Sequence, residues 1–447
     1  STDDYGVYYT TFTATDAATP LQVSAARGPY EASLPPYTSP REAIAHDGTG
    51  YLLGWLQHDN PATTNREEVY AQRYTGVTPA ARSALLQRVH NGRASTPTLT
   101  VNNSGVKLAT WRQYYFENNT SSSAPTYRQG LFAAVQQNGA WGAPMLLSTF
   151  GTNAQVVTNG SSFAIAYYSS SMQLAGRVYD NGLLSPQRNL GGTSYDPQLV
   201  TDGTGYLVAW WQSGTTPYYI YVSHYAGGAW SSPSAISGAI GEGAPQVASN
   251  GSGYAVAWKH YDGTATSLYA NVFNGTGWSG VQLLENVNTS ASLPRIASNG
   301  AGYAVVWRQS DGSFQSVYAS FHDGAGWSVP LDIDGQDVDT VYPEIVSNGS
   351  SYAVAWQQGG NCHARLWSGA WGSIANLGGC PSATTDNERN FKMATDGAGY
   401  AAAFRPGNPS PYGMYAAVYH GGAWQGMTGV MPDGCQAPSE NAWRVSS

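Results

Sequence analysis

One short motif recurs along the chain, and this repetition limits the fold more than any other feature. The clearest copies cover residues 248–258 and 297–307, where an Asn-Gly turn precedes an aromatic residue, alternating small residues and a Trp. Eight copies follow one another at a spacing of roughly 50 residues, as in known repeat arrays. The first large residue of each copy is, in order, Tyr51, Val106, Phe163, Tyr206, Tyr254, Tyr303, Tyr352 and Tyr400. Such a chain folds as repeated units that stack on one another.

The pattern inside one repeat predicts four β-strands. The Asn-Gly pair at 250–251 tolerates the positive φ angles that a tight hairpin needs. Residues 254–258 then alternate large side chains with alanine, so a strand here has a large and a small apolar face. Further strands are predicted at 269–273 and 281–284, separated by Gly-containing turns, and another short strand opens the next repeat. Four strands joined by short hairpins form one blade of a β-propeller.

We therefore predict an all-β fold, a β-propeller of eight four-stranded blades, with residues 1–447 forming a single domain. Residues 7–23 resemble the third and fourth strands of a repeat, and residues 443–447 resemble a first strand. We expect these terminal strands to pair and close the ring. A nine-bladed ring with one incomplete blade is the alternative, and a partner chain would then complete that blade by adding a strand.

The charge and the apolar runs of the chain limit the classes of binding partner. Charged residues make up 11% of the chain, against about a quarter in an ordinary soluble domain, and the net charge is −8. A negatively charged chain is a poor partner for nucleic acid. No apolar run reaches the ~20 residues of a membrane helix. We therefore expect neither nucleic-acid binding nor membrane insertion.

Cysteine positions favour an oxidising compartment. Cys362 starts the third strand of the seventh repeat, and Cys380 lies in the linker that follows this repeat. Both positions belong to the same face of one predicted blade, so we predict a disulfide between them. Cys435 is then free or paired between chains. Because the chain also opens at Ser1, as a processed secreted chain would, we expect an extracellular or cell-surface location.

The turn between the third and fourth strands resembles a motif of a known family. Residues 321–328, Phe-His-Asp-Gly-Ala-Gly-Trp-Ser, resemble the Asp-box turns of sialidase-like propellers, with Asn274 in the place of Asp323 in another repeat. The repeat pattern as a whole resembles secreted or surface β-propeller proteins of bacteria. This resemblance implies a propeller fold in which the box fastens its hairpin, and it implies little about activity.

Three long segments are expected on one face of the propeller, where loops commonly carry function. They are residues 24–41, 57–68 and 113–129, and they combine aromatic rings with carboxylates and Arg. The candidate ligand-binding residues are Tyr30, Tyr37, His58, Asp59, Arg66, Tyr114, Tyr115, Glu117 and Tyr127. Such rings stack on the apolar face of a pyranose while polar groups bind its hydroxyls, so carbohydrate is the expected ligand. The alternative is that these loops only cover the propeller or contact a protein.

A second candidate site follows the innermost strands. Gln246, Arg295, Glu344 and Lys392 occupy equivalent positions in successive repeats and are expected to line the central channel. Glu344 between two cations would form a charged arc that can hold a ligand. A hydrated structural channel is the alternative.

Alternating carboxylates form the one metal candidate in the sequence. Asp332, Asp334, Asp337 and Asp339 surround Gly335 and offer the oxygen ligands that Ca²⁺ prefers. The alternative is a solvated acidic linker. No other cofactor is expected, because no phosphate-binding Gly-Lys loop, zinc motif or haem motif occurs.

Together these features favour a secreted or cell-surface binding or assembly module without catalysis of its own, with carbohydrate or a surface protein as its partner. The first alternative is a sugar-active enzyme, either a sialidase-like glycosidase or a polysaccharide lyase. Arg112, Arg308 and Arg405 share one strand position, but the Tyr/Glu nucleophile pair of sialidases is not evident. The second alternative is a structural subunit of an extracellular assembly that forms homo-oligomers through its terminal strands.

Overall fold

The computed structural model consists of β-strands and turns, without a helix among the residues that it describes. These are residues 8–9, 21–22, 43–46, 50–58, 67–75, 78–79, 94–117, 126–170, 172–212, 217–238, 242–335, 338–380, 391–404, 415–425 and 428–429. Within these ranges there is no candidate for a membrane-spanning helix.

The chain divides into two compact units. The first comprises Ser1–Thr11, Ala17–Asn189 and Gly434–Ser446, and the second comprises Phe12–Asp16, Leu190–Asp433 and Ser447. Residues 443–447 lie outside the described residues. A single domain closed by strands from both termini therefore stays a prediction.

The first unit contains a hairpin and three antiparallel sheets, one sheet for each of the first three repeats. The hairpin joins β1 (Tyr8–Tyr9) to β2 (Leu21–Gln22), where the sequence predicts a third and a fourth strand. The first sheet contains β3 (Ala43–His46), β4 (Tyr51–His58), β5 (Glu67–Thr75) and β6 (Thr78–Pro79). The second contains β7 (Ala94–Val101), β8 (Lys107–Glu117), β9 (Thr126–Gln137), β10 (Ala140–Trp141) and β11 (Met145–Ser148). The third contains β12 (Thr152–Thr158), β13 (Phe163–Ser170), β14 (Gln173–Asp180) and β15 (Leu183–Leu184).

The second unit contains the sheets of repeats four to eight. The fourth contains β16 (Arg188–Thr201), β17 (Tyr206–Gln212), β18 (Tyr219–Ala226), β19 (Ala229–Trp230) and β20 (Ser234–Ala235). The fifth contains β21 (Glu242–Ser249), β22 (Tyr254–Tyr261), β23 (Thr266–Phe273) and β24 (Gln282–Leu283). The sixth contains β25 (Ala291–Ser298), β26 (Tyr303–Ser310), β27 (Gln315–His322) and β28 (Leu331–Asp332). The seventh contains β29 (Thr340–Ser347), β30 (Tyr352–Gln358), β31 (Asn361–Trp367) and β32 (Ala375–Gly379). The eighth contains β33 (Phe391–Thr395), β34 (Tyr400–Phe404), β35 (Tyr415–His420), β36 (Ala423–Trp424) and β37 (Thr428–Gly429).

Each repeat folds as an antiparallel meander, which confirms the predicted all-β, propeller-type class. In the fifth sheet, β21 pairs with β22, β22 with β23, and β23 with β24. The sixth and seventh sheets follow the same order. The number of blades in a closed ring stays a prediction.

Where its side chains are described, the central part of the second strand of each sheet is largely buried on both faces, as its alternating pattern predicts. In the fifth sheet, Tyr254, Val256 and Trp258 pack against apolar residues of the fourth sheet. The opposite face presents Ala257, which packs against Trp307 and other residues of the sixth sheet. A large face therefore meets a small face in the neighbouring sheet, and this complementarity lets the sheets pack closely.

A β-bulge interrupts the first strand of most sheets. In β25 the register shifts between Ser292 and Arg295, and Leu293 adopts a positive φ of 52°. In β29 the corresponding shift precedes Glu344, and Tyr342 has a φ of 55°. A left-handed conformation costs a non-glycine residue about 1–2 kcal/mol. The bulge redirects the side chains that follow it, and these include the predicted channel residues.

A Trp-x-Gln pair fastens the linker between sheets, a feature that the sequence reading missed. In the sixth sheet, the indole Nε1–H of Trp307 donates to Oε1 of Gln309 at 2.9 Å. The amide of Gln309 donates in turn to the carbonyl oxygens of Val287 and Thr289, at 2.8 and 2.7 Å. Both carbonyls belong to the linker between β24 and β25. The buried indole is thereby satisfied, and the linker is held against the strand end.

Cys362 and Cys380 form a disulfide, with their Cα atoms 5.1 Å apart. Both residues are buried. The backbone N–H of Cys380 also donates to the carbonyl of Gly360 at 2.9 Å. The bond thus closes the outer edge of the seventh sheet. Cys435 lies outside the described residues.

Candidate functional site

Three aromatic rings gather at the end of the fourth sheet where β17 ends and β18 begins. Tyr195 of β16 lies opposite Trp211 of β17, and their rings stack with centroids 4.4 Å apart and planes 20° apart. Tyr218 meets Trp211 edge to face at 5.7 Å. All three side chains are half-buried, so part of each ring faces solvent. We call these rings, together with Asp196, the aromatic platform.

Asp196 supplies the carboxylate of the aromatic platform. It occupies the bulge of β16 with a φ of 46°, a conformation that Asp tolerates better than most residues. Its Oδ2 accepts a hydrogen bond of 3.0 Å from the Trp211 indole N–H. The bond orients the indole, and the exposed carboxylate keeps acceptor capacity for another donor. The platform thus combines apolar ring faces with an adjacent acceptor.

The sequence reading missed the aromatic platform, although one signal was present. Trp211 occupies the position after the buried Trp of the second strand. At this position the other repeats carry Leu56, Arg112, Tyr168, Lys259, Arg308, Gln357 and Arg405. This position is therefore aromatic in two repeats, at Tyr168 and at Trp211. Tyr195 and Tyr218 reach it only through the strand register.

Residues 113–117 and 126–129 of the predicted loop lie in paired strands, which corrects their description as a loop. β8 continues to Glu117 and β9 starts at Thr126, so Tyr114, Tyr115, Glu117 and Tyr127 lie in strands. The cause is the run of aromatic residues, whose high β-propensity extends the ladder. Residues 118–125 lie outside the described residues.

Tyr114 is the member of the predicted loop cluster whose side chain is described. The Arg112 guanidinium lies 4.5 Å from the centroid of the Tyr114 ring. Arg112 Nη2 donates to Oε1 of Gln129 at 2.6 Å. This cation–π contact and hydrogen bond hold these side chains in place.

The other predicted ligand residues fall largely outside the described part. Tyr30, Tyr37, Asp59 and Arg66 lie outside it. His58 ends β4 opposite Glu67 in the first sheet, and its backbone position alone is described. Whether these residues form one cluster stays a prediction.

The structure brings three of the four predicted channel residues into contact. Glu344 Oε1 accepts from Lys392 Nζ at 2.8 Å and from Arg295 Nε at 3.4 Å. The three side chains come from the first strands of the sixth, seventh and eighth sheets. Gln246, at the equivalent position of the fifth sheet, instead donates to the Pro245 carbonyl at 3.2 Å. We call Arg295, Glu344 and Lys392 the charged arc.

Three of the predicted calcium ligands accept hydrogen bonds from separate backbone N–H groups. Asp334 Oδ2 accepts from the Val317 N–H at 2.7 Å, and Asp339 Oδ1 accepts from the Gln315 N–H at 2.9 Å. Asp332 accepts from the N–H of Asp334 at 3.1 Å. Asp337 lies outside the described residues, and within the described ranges no three carboxylate, His or Cys side chains are arranged to hold a metal. Calcium binding stays a prediction.

The leading tyrosines of the repeats tie neighbouring sheets together. Tyr352 OH accepts from the Asn299 N–H at 3.1 Å and donates to the Gly302 carbonyl at 3.2 Å. Tyr400 OH forms a 2.7 Å hydrogen bond with Ser351 Oγ. In the fifth sheet, Tyr254 OH contacts Nε2 of His224 in the fourth sheet at 3.4 Å. Burial raises the pKa of the Tyr352 hydroxyl to about 12, so it stays protonated at neutral pH.

Three buried or half-buried histidines predict an acid-sensitive fold. Burial lowers the pKa of His224, and the nearby Asp202 carboxylate opposes this effect only in part. Burial likewise lowers the pKa of His322 and His363. The unfolded chain therefore binds protons more readily than the folded chain as the pH falls below about 6.5.

We accordingly expect the melting temperature to fall when the pH is lowered from about 7.5 to about 5. A second loss of stability is expected below about pH 4. Backbone N–H donors lower the pKa of Asp311 and Asp396 in the folded chain, so the unfolded chain binds these protons first as the pH falls. Differential scanning fluorimetry across this range measures both steps. His363→Phe keeps a ring against Trp356 and should reduce the first step. An unchanged profile in this variant would contradict the role of His363.

Comparison with known proteins identifies no family. No family model matches the chain, and no curated protein matches it. Many solved structures match at low identity.

Three of these structures illustrate the likeness. The β-propeller domain of the trilobed protease of Pyrococcus furiosus is 10% identical with a TM-score of 0.37, over 76% of this chain and 98% of that one. An ulvan lyase is 11% identical with a TM-score of 0.39, over 90% and 95%. The six-bladed fucose-recognising lectin of Aleuria aurantia is 12% identical with a TM-score of 0.30, over 77% and 98%. At these values no activity or ligand transfers to this chain.

Proposed function

We propose that this chain is a secreted or cell-surface binding module that recognises carbohydrate. The observation that carries the proposal is the aromatic platform, in which three half-buried rings lie together and one of them, Trp211, is hydrogen-bonded to an exposed carboxylate. A pyranose has apolar C–H faces and equatorial hydroxyls, and it therefore suits a ring surface with an acceptor at its edge. Asp196 can accept from a sugar hydroxyl while it holds the Trp211 indole.

Two further observations support the proposal. The platform is built on strand ends whose backbone is held by the β16–β17–β18 ladder, so little ordering is required when a ligand binds. The Cys362–Cys380 disulfide suits an oxidising, extracellular location. The resemblance of the turns to Asp boxes supports the fold and adds no activity.

Glycan-array screening followed by isothermal titration calorimetry tests the proposal. Trp211→Ala should weaken binding of the array hits by about tenfold or more, because a central aromatic residue commonly contributes more than 1 kcal/mol. Tyr261→Ala removes an exposed ring of the fifth sheet and is the matched control, with binding expected to stay unchanged.

Three outcomes would contradict the proposal. The first is the absence of any glycan hit, and the second is full binding by Trp211→Ala. The third is release of product from polysaccharides or sialosides, which would favour a sugar-active enzyme. Mass photometry of the purified chain separately tests homo-oligomers, since a strictly monomeric protein argues against assembly through terminal strands.

A further inference from the structure

The charged arc holds more positive than negative charge. Its two cations share a single carboxylate oxygen, Glu344 Oε1. The Glu344 side chain is 14% exposed, while those of Arg295 and Lys392 are 23% and 40% exposed. One positive charge is thus in excess and accessible on a chain whose net charge is −8.

Arg295 and Lys392 both keep N–H groups that can donate further hydrogen bonds. Arg295 Nη1 donates to the Pro294 carbonyl at 3.1 Å, and Nε donates to Glu344. Among the described residues, Nη2 of Arg295 has no acceptor, and the Lys392 ammonium has Glu344 as its one partner. Glu344 therefore positions two donors without using all of their hydrogen bonds.

Two residues close in sequence to the charged arc adopt an energetically unfavourable backbone conformation. Three other bulges place Asn153, Asp196 or Gly243 in the left-handed conformation, and these residue types tolerate it. The two bulges that lead into the arc place Leu293 and Tyr342 there instead. Both side chains are half-buried. Residues held in unfavourable backbone conformations cluster at functional sites.

We propose that the charged arc binds the anionic group of an acidic saccharide, either a uronate carboxylate or a sulfate ester. Arg295 and Lys392 donate to the anion, and Glu344 positions them. This inference goes beyond the proposed function, because it adds binding of an acidic ligand at the charged arc. Charge-assisted hydrogen bonds from Arg and Lys to an anion are strong and directional.

Matched ligand pairs test the proposal by calorimetry. Tetragalacturonate is compared with its fully methyl-esterified form, and a sulfated galactan tetrasaccharide with its desulfated form. We expect at least one acidic ligand to bind about tenfold more tightly than its neutral counterpart, with this advantage shrinking as NaCl rises from about 50 to about 300 mM. The ligand pair that shows this preference identifies whether the bound anionic group is a carboxylate or a sulfate ester.

Substitutions test whether the residues of the charged arc cause the preference for the acidic ligand. Arg295→Gln and Lys392→Gln should each remove most of the preference for the acidic ligand and leave binding of its neutral counterpart unchanged. Lys107→Gln is the control, because Lys107 donates to the Gly105 carbonyl in a turn of the first unit. Equal binding of acidic and neutral ligands by the wild type, or an unchanged preference in both arc variants, would overturn the proposal.

Small anionic probes separate this inference from the proposed function. Inorganic sulfate and glucuronate are titrated while the side-chain NMR signals of Arg295 and Lys392 are recorded. Saturable shifts below about 10 mM that disappear in Arg295→Gln support the arc even if no glycan binds. Absence of shifts overturns the arc even if neutral glycans bind at the aromatic platform.

Discussion

Replacement of Trp307 by alanine is expected to lower the free energy of unfolding by about 4 kcal/mol. The indole is fully buried and packs between residues of the fifth and sixth sheets. Its ring stacks on Tyr318 with centroids 6.0 Å apart. Alanine would leave a cavity that the flanking strands cannot fill, because the backbone ladders hold them apart. It would also leave Gln309 Oε1 without the indole donor.

Urea unfolding followed by circular dichroism measures this loss. Trp307→Phe is the informative control, since it keeps an aromatic ring in the site but removes the N–H donor together with part of the indole volume. We expect this variant to lose about 1–2 kcal/mol, less than Trp307→Ala, because the retained ring still fills most of the site while the hydrogen bond to Gln309 is lost. A loss below about 1 kcal/mol in Trp307→Ala would show that the sheets do not depend on this contact.

Removal of the disulfide is expected to cost about 3 kcal/mol. The bond joins residues 18 positions apart, and a loop of this size restricts the unfolded chain by roughly that amount. It also fastens β31 to the end of β32 at the outer edge of the seventh sheet, where one register irregularity already weakens the ladder. The double variant Cys362→Ala/Cys380→Ala should therefore unfold at lower urea concentration.

Reduction provides a control for this prediction. Dithiothreitol should shift the wild-type transition toward that of the double variant and leave the double variant unchanged. Cys435→Ala controls for the loss of a thiol elsewhere in the sequence. Equal stability of oxidised wild type and double variant would contradict the prediction.

The repeating unit was predictable because its signals are local. Asn-Gly and Asp-Gly turns and strict alternation along residues 254–258 specify hairpins and a strand with two apolar faces, whatever the rest of the chain does. The disulfide was predictable for the same reason, because both cysteines belong to one meander. The strand at Tyr114 was missed, because β-propensity extended β8 to Glu117, into a segment that was predicted as a long loop.

The charged arc and the aromatic platform both depend on contacts between residues that are far apart in the sequence. The charged arc was predictable as a set of equivalent positions, since aligned repeats place Arg295, Glu344 and Lys392 at one level of neighbouring sheets. Their pairing through a single oxygen depends on the distance between the sheets and on the bulges. The aromatic platform was not predictable, because its rings come from three strands and meet only in the register of the fourth sheet.

By itself, the amino-acid sequence determined the unit of this protein: a four-stranded meander, repeated, with one large and one small apolar face. Alternation and turn chemistry act over a few residues, and this short range is why they can be read directly from the chain. The tertiary structure alone decided which polar side chains share partners and which rings stack, because these contacts depend on packing and register between strands that are far apart in sequence.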